Sequence, residues 1–133
     1  MNFKGLNKDG VWVSGLGFVP RGDGTSIIVF SINDLDQGWR IVSDETVCVG
    51  SRIEDELGNE IFEDDIIRID FGNNPSYYVV KYDSRCGQFY LLNSNVRFDV
   101  IKDLHPDIKF FYVGNIHSDK DLLNRALKRV QRK

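Results

Sequence analysis

Asp55-Glu56-Leu57-Gly58-Asn59-Glu60-Ile61-Phe62-Glu63-Asp64-Asp65-Ile66-Ile67-Arg68-Ile69-Asp70 joins a turn, an acidic run and an alternating apolar strand in one segment. Gly58-Asn59 marks the turn, because glycine enters positive φ without steric cost. Ile67, Ile69 and Phe71 then share one face of a strand. Glu54, Asp55, Glu56, Glu60, Glu63, Asp64, Asp65 and Asp70 place 8 of the chain's 20 acids in or beside this segment. So dense a cluster raises the question of a metal site. A calcium loop of the EF-hand kind needs oxygen ligands at alternating positions, and the third position counted from Asp55 is Leu57. A looser oxygen site at Glu63, Asp64 and Asp65 requires a turn, since neighbours on a strand point to opposite faces. The pattern favours a solvated acidic loop that keeps a strand edge from pairing. No metal ligand, catalytic residue or cofactor site is assigned.

Strands flank the segment on both sides. Phe3 to Leu6 and Val11-Trp12-Val13 bracket Asp9-Gly10, a hairpin dipeptide. Residues 14 to 26, rich in Gly and Ser, read as a flexible loop. Ile27 to Ile32, Trp39 to Val42 and Thr46 to Val49 are β-branched and aromatic runs of strand length. Tyr77 to Tyr82 and Gln88 to Leu92 form two arms around a loop at 83–87. Lys109 to Ile116 is the last strand, with Phe111 and Val113 on one face. Ser118-Asp119-Lys120-Asp121 then fits an N-capping pattern with Ser118 as cap. Leu122, Leu123, Ala126, Leu127 and Val130 make an apolar stripe, which predicts a helix over about 118–131. The fold class expected is mostly β: one domain over 1–133, a small curled sheet or pseudo-barrel capped by a C-terminal α-helix.

Composition narrows the function. The 133 residues are one domain's worth. No apolar run approaches membrane-span length, and Met1 to Asn7 lacks a signal peptide's apolar core. Both predict a cytoplasmic protein without a membrane partner. Cys48 and Cys86 form no CxxC pair and read as free thiols. His105 and His117 have no ligand spacing with them, although a Cys86–His117 pair meeting in space is open to test. The net charge of -3 hides an asymmetry: residues 1–70 hold 14 acids against 6 bases, and residues 71–133 hold 6 against 11. Neutralisation within one fold is the simpler account, and head-to-tail association the sharper one. Arg125, Lys128, Arg129, Arg132 and Lys133, with Tyr77, Tyr78, Tyr82, Phe89 and Tyr90, supply the ingredients of a nucleic-acid surface, but the acidic first half opposes it.

Three stretches in order resemble the YopX family of phage and prophage proteins. They are Asp55 to Ile66, then Val79 to Asp83 with Gly87-Gln88-Phe89-Tyr90-Leu91, then Val113-Gly114-Asn115-Ile116-His117 running into Leu122-Leu123. Together they cover roughly residues 50 to 125. The chain departs from the family pattern at Arg52 and Asp64, where glycine is usual, and at Leu6, where tryptophan is usual. The change to Asp64 predicts a different turn geometry there. The resemblance implies a mostly-β pseudo-barrel with a helical cap, and a bacterial cytoplasm. It supplies no reaction. The reading that follows is a non-enzymatic binding or assembly module acting by self-association or on a protein partner. The alternatives are a nucleic-acid-associated protein using the basic C-terminal helix, and a divalent-metal-dependent hydrolase.

Overall fold

The computed structural model describes residues 2–31, 37–71, 74–93, 97–98 and 108–122. The chain divides into two compact units, Met1–Arg52 and Ile53–Lys133. Among the described residues the strands lie in three antiparallel sheets, none of which closes into a barrel. The expected pseudo-barrel is therefore replaced by open ladders, each ending in strands with a neighbour on one side only.

In the first unit, β1 (Phe3–Leu6) and β2 (Trp12–Gly15) form the hairpin expected around Asp9-Gly10. Asn7 organises its turn: its Oδ1 accepts the N–H groups of Asp9 and Val11 at 2.9 and 3.0 Å, while Gly10 takes φ 75°. The segment read as a flexible loop instead holds β3 (Gly17–Pro20) and the start of β4 (Thr25–Val29). Glycine explains the misreading. A Cβ on Gly15 would lie 2.4 Å from the Val29 carbonyl oxygen. The residue type that suggested flexibility here permits a close backbone approach. Only 21–24 remain a turn, in which the Asp23 carboxylate accepts the Thr25 N–H at 3.1 Å. The side-chain and backbone donors of Thr25 hold that exposed carboxyl below its ordinary range.

β4 pairs with β5 (Trp39–Ser43), giving the sheet order β3-β4-β5. A 3-10 turn at Asp44–Thr46 leads into β6 (Cys48–Glu54), which pairs with β1. Ile28, Val42 and Cys48 are buried here, and both cysteines are free thiols. A Cβ on Gly5 would strike Val42 at 2.7 Å, so glycine lets the strand close over that side chain.

In the second unit, β7 (Glu60–Phe62) is followed by β8 (Asp65–Phe71), β9 (Asn74–Asp83), β10 (Gln88–Leu92), β11 (Arg97–Phe98) and β12 (Phe110–Asn115). The sheet order β11-β10-β9-β8-β12 brings the last strand beside the acidic segment's own strand. Ile61, Ile67, Ile69, Tyr78, Val80 and Leu91 make the core, with Phe89, Phe110 and Tyr112 packed against it. The expected face of β8 holds for Ile67 and Ile69. On β12 the core side is Phe110 and Tyr112, while Phe111 meets the Arg68 guanidinium at 4.9 Å. A bulge between Tyr112 and Gly114 shifts the register.

Helical geometry after β12 is described only for Lys120–Leu122, and the rest of the helix expected over 118–131 lies outside the described residues, as does His105. Ser118 does not cap in the expected way. Its hydroxyl donates to the Asp119 carboxylate at 2.8 Å, and that carboxylate accepts the Asn115 N–H at 3.0 Å.

Candidate functional site

The acidic segment forms the entry to the second unit's sheet. Its first half is a turn built on one side chain. Asp55 Oδ1 accepts the N–H groups of Leu57 and Asn59 at 3.0 and 2.8 Å, and Gly58 takes φ 83° as the turn requires. The other oxygen, Oδ2, accepts the Asn59 amide at 3.2 Å and the Tyr112 N–H at 2.8 Å. The neighbouring Glu56 N–H donates to the Phe110 carbonyl at 3.2 Å.

Phe110 and Tyr112 belong to β12, the last strand of its sheet, and the ladder parity shows which way their backbones point. Asp70 N–H bonds to the Lys109 carbonyl on the β8 side. In an antiparallel register, Phe111 then faces β8, while Phe110 and Tyr112 turn their peptide groups outward. The acidic turn thus meets the outer edge of β12 and takes up the Phe110 carbonyl and the Tyr112 N–H. The expectation that this loop guards a strand edge is met, but by direct hydrogen bonding rather than by solvated repulsion.

Glu54, Glu56 and Asp70 are exposed as a solvated rim would be, but Asp55 and Asp65 are buried. Burial raises the Asp55 carboxyl pKa, but the donors from Tyr112, Asn59 and Leu57 together outweigh it and hold the group below its usual range. Asp65 is wholly buried at the start of β8. Its carboxylate accepts the Phe62 N–H at 2.7 Å and the Asn115 amide at 3.0 Å. Asn115 Oδ1 in turn accepts the His117 N–H at 2.9 Å. Tyr112 is pushed up to about 12 by burial, with the charges of Asp65 and Asp119 adding to it.

Asp64 carries a third set of contacts. It adopts φ 68°, donates its N–H to the Val80 carbonyl and accepts the Ile116 N–H at 3.0 Å. One carboxylate oxygen meets Lys81 Nζ at 2.8 Å, and the other meets His117 Nε2 at 2.9 Å. The backbone here takes the left-handed conformation that glycine adopts most easily. Aspartate is among the residues that tolerate it. Arg52, the other departure from glycine, also sits at positive φ, 64°.

These contacts decide what the site can do. Asp64 and Asp65 face different donors, so they do not share an open oxygen cage with Glu63. A carboxylate on a histidine ring is the pair that orients a general base. Here Lys81 holds the same carboxylate, and the nearby Ser118 hydroxyl is donated to Asp119. Cys86 lies in the β9–β10 turn with its thiol toward the Asp83 carbonyl, and no described contact joins it to His117. Of the aromatics read as a nucleic-acid surface, Tyr78 is core, and Phe89 packs on the core while stacking on Tyr82 at 4.8 Å. The five basic residues 125–133 lie outside the described residues.

Lys81, Asn115 and Asp119 belong to the motif stretches and the capping pattern, but the motifs give no sign of the partners they meet here. The available signal was the displaced glycine. A position that wants glycine but holds aspartate calls for partners that compensate the strain, and Lys81 and His117 are those partners.

A sequence model of a family described as YopX protein matches residues 21–124. The match takes in all three motif stretches and begins well before residue 50, so it also includes β4, β5 and β6. No curated protein and no solved structure matches the chain.

Proposed function

The chain belongs to the YopX family, and from that premise we propose that it is a non-enzymatic protein-binding or assembly module of phage or prophage origin, working in the cytoplasm of a bacterial host. One observation carries this reading: the outer face of the β3-β4-β5 sheet is apolar and open. The register sets Val19, Ile27 and Ile41 in one row and Gly17, Val29 and Trp39 in the next. On that face Val19 is 54% exposed, Ile41 42% and Trp39 38%. Contiguous apolar surface on a small domain marks contact with a partner. Meanwhile the best candidate for chemistry, the acidic segment, has Asp55, Asp64 and Asp65 engaged in holding the fold. Among the described residues no helix is long and apolar enough to cross a membrane.

Size-exclusion chromatography with light scattering, at low and high salt, tests the proposal. It predicts a mass above the monomer, or a complex with a host protein whose formation buries Trp39 and quenches or shifts its fluorescence. A strict monomer at every salt level that retains no host protein would overturn it.

A further inference from the structure

The β3-β4-β5 sheet has two edges, and they differ. On β3, Pro20 has no N–H to offer, a usual way of blunting an edge. On β5 there is no proline, and the sequence Trp-Arg-Ile-Val-Ser is a strong strand former. The ladder parity again shows the direction of the backbone. Phe30 N–H bonds to the Gly38 carbonyl and Asp44 N–H to the Gly24 carbonyl. In this register Arg40 and Val42 exchange hydrogen bonds with β4, and Trp39, Ile41 and Ser43 turn their peptide groups outward. Two of those outward carbonyls are used locally: Trp39 accepts from Arg40 Nη1 at 2.7 Å, and Ser43 accepts from the Thr46 hydroxyl at 2.7 Å. The N–H and C=O of Ile41 and the N–H of Ser43 have no partner among the described residues.

This stretch of edge borders a cavity of about 500 Å3. One wall is β5 itself, residues Arg40 to Ser43, and the other includes Asn7, Lys8 and Asp9 of the first hairpin turn. A groove with strand-edge donors and acceptors along one wall suits an extended backbone, which pairs with alternate residues and sets its side chains against the walls. The cations Lys8 and Arg40 outnumber the single acid Asp9 in the lining, although the first half of the chain is strongly acidic. The groove therefore favours an acidic side chain on the incoming strand.

We propose that the β5 edge is a peptide-binding site, taking an extended, alternately apolar segment with an acidic residue as a fourth strand, its backbone paired to Ile41 and Ser43. The proposal rests on the binding-module reading and names the site and the ligand for it.

The test uses the full chain, labelled with 15N, and the capped probe Thr-Val-Glu-Val-Thr-Val. Saturable amide shifts are expected at Ile41 and Ser43, with smaller ones at Arg40 and Val42. A probe with proline in place of its central valine should not bind. Ile41→Pro removes an outward N–H without removing a β4 hydrogen bond, and Ile41→Glu keeps the backbone but sets a like charge against the glutamate of the probe. Each should weaken binding at least about tenfold, the worth of one or two backbone hydrogen bonds. If Ile41→Pro does not fold, Ile41→Glu carries the test, with Leu57→Glu as an exposed control that binds normally. No shift at these amides with about a millimolar excess of probe overturns the proposal, as does saturable binding that maps elsewhere. The second result would leave the binding-module reading standing. A dimer in light scattering that Ile41→Glu dissociates also overturns it, because the edge would then be taken by a second copy.

Discussion

β12 and β5 both end a sheet, and the chain treats them in opposite ways. On β12 the outward peptide groups of Phe110 and Tyr112 are taken up by Glu56 and by the Asp55 carboxylate. On β5 the outward groups of Ile41 face a groove. The covered edge is the work of the most acidic segment in the protein. The open one lies in an ordinary-looking strand that no motif marks. The contrast teaches that charge density in a sequence does not locate a working surface. A carboxylate can be a backbone acceptor in disguise, and a site for backbone pairing can consist of residues with no chemistry at all.

Breaking the covered side should have the largest effects. Asp65→Ala strands the Phe62 N–H and the Asn115 amide in a buried place, at about 1–3 kcal/mol each, so urea denaturation should show a loss of about 3 kcal/mol or more. Asp55→Ala should follow, at about 2 kcal/mol, since its turn retains partial access to water. It should also uncover β12, so the variant should aggregate on partial unfolding where the parent does not.

Asp55 also gives the comparison a pH signature. Its folded carboxyl titrates below its unfolded value of 3.8. The stabilisation is therefore full above the unfolded pKa and is lost as pH falls through the folded one. Denaturation midpoints measured downward from about pH 5 should fall less steeply for Asp55→Ala than for the parent protein.

Asp64→Gly should cost less, about 1 kcal/mol. It loses two contacts, Lys81 and His117, at about 1 kcal/mol each, and relieves a left-handed aspartate's strain of about 1 kcal/mol. On the open side, Ile41→Lys should leave the denaturation midpoint within about 0.5 kcal/mol of the parent, because the residue is 42% exposed. A large loss there would mean that β5 is a structural strand and not an open edge.

Much of this was legible in the sequence. The β8 face of Ile67 and Ile69, the hairpin around Gly87 and the turn at Gly58 followed from alternation and glycine chemistry. The YopX resemblance was carried by short motifs that the family match then contained. What misled was context. Gly15 suggested a loop because composition cannot distinguish a glycine that bends from one that lets another strand approach. The roles of Asp55 and Asp65 were hidden because their donors, Tyr112 and Asn115, lie about fifty residues further on, and pairing across that distance leaves no local pattern. The β5 edge was invisible for a related reason. Which peptide groups point outward depends on register with β4, which alternation alone does not set.

The central claim is that the Asp55 and Asp65 carboxylates of the acidic segment fasten the fold. Following the Asp55 side-chain carboxyl carbon by NMR across an acid titration tests it most directly, with and without magnesium. The account predicts a midpoint below 3.8 that magnesium leaves unmoved. A midpoint at or above that value, or a carboxyl signal that shifts when the metal is added, would contradict it.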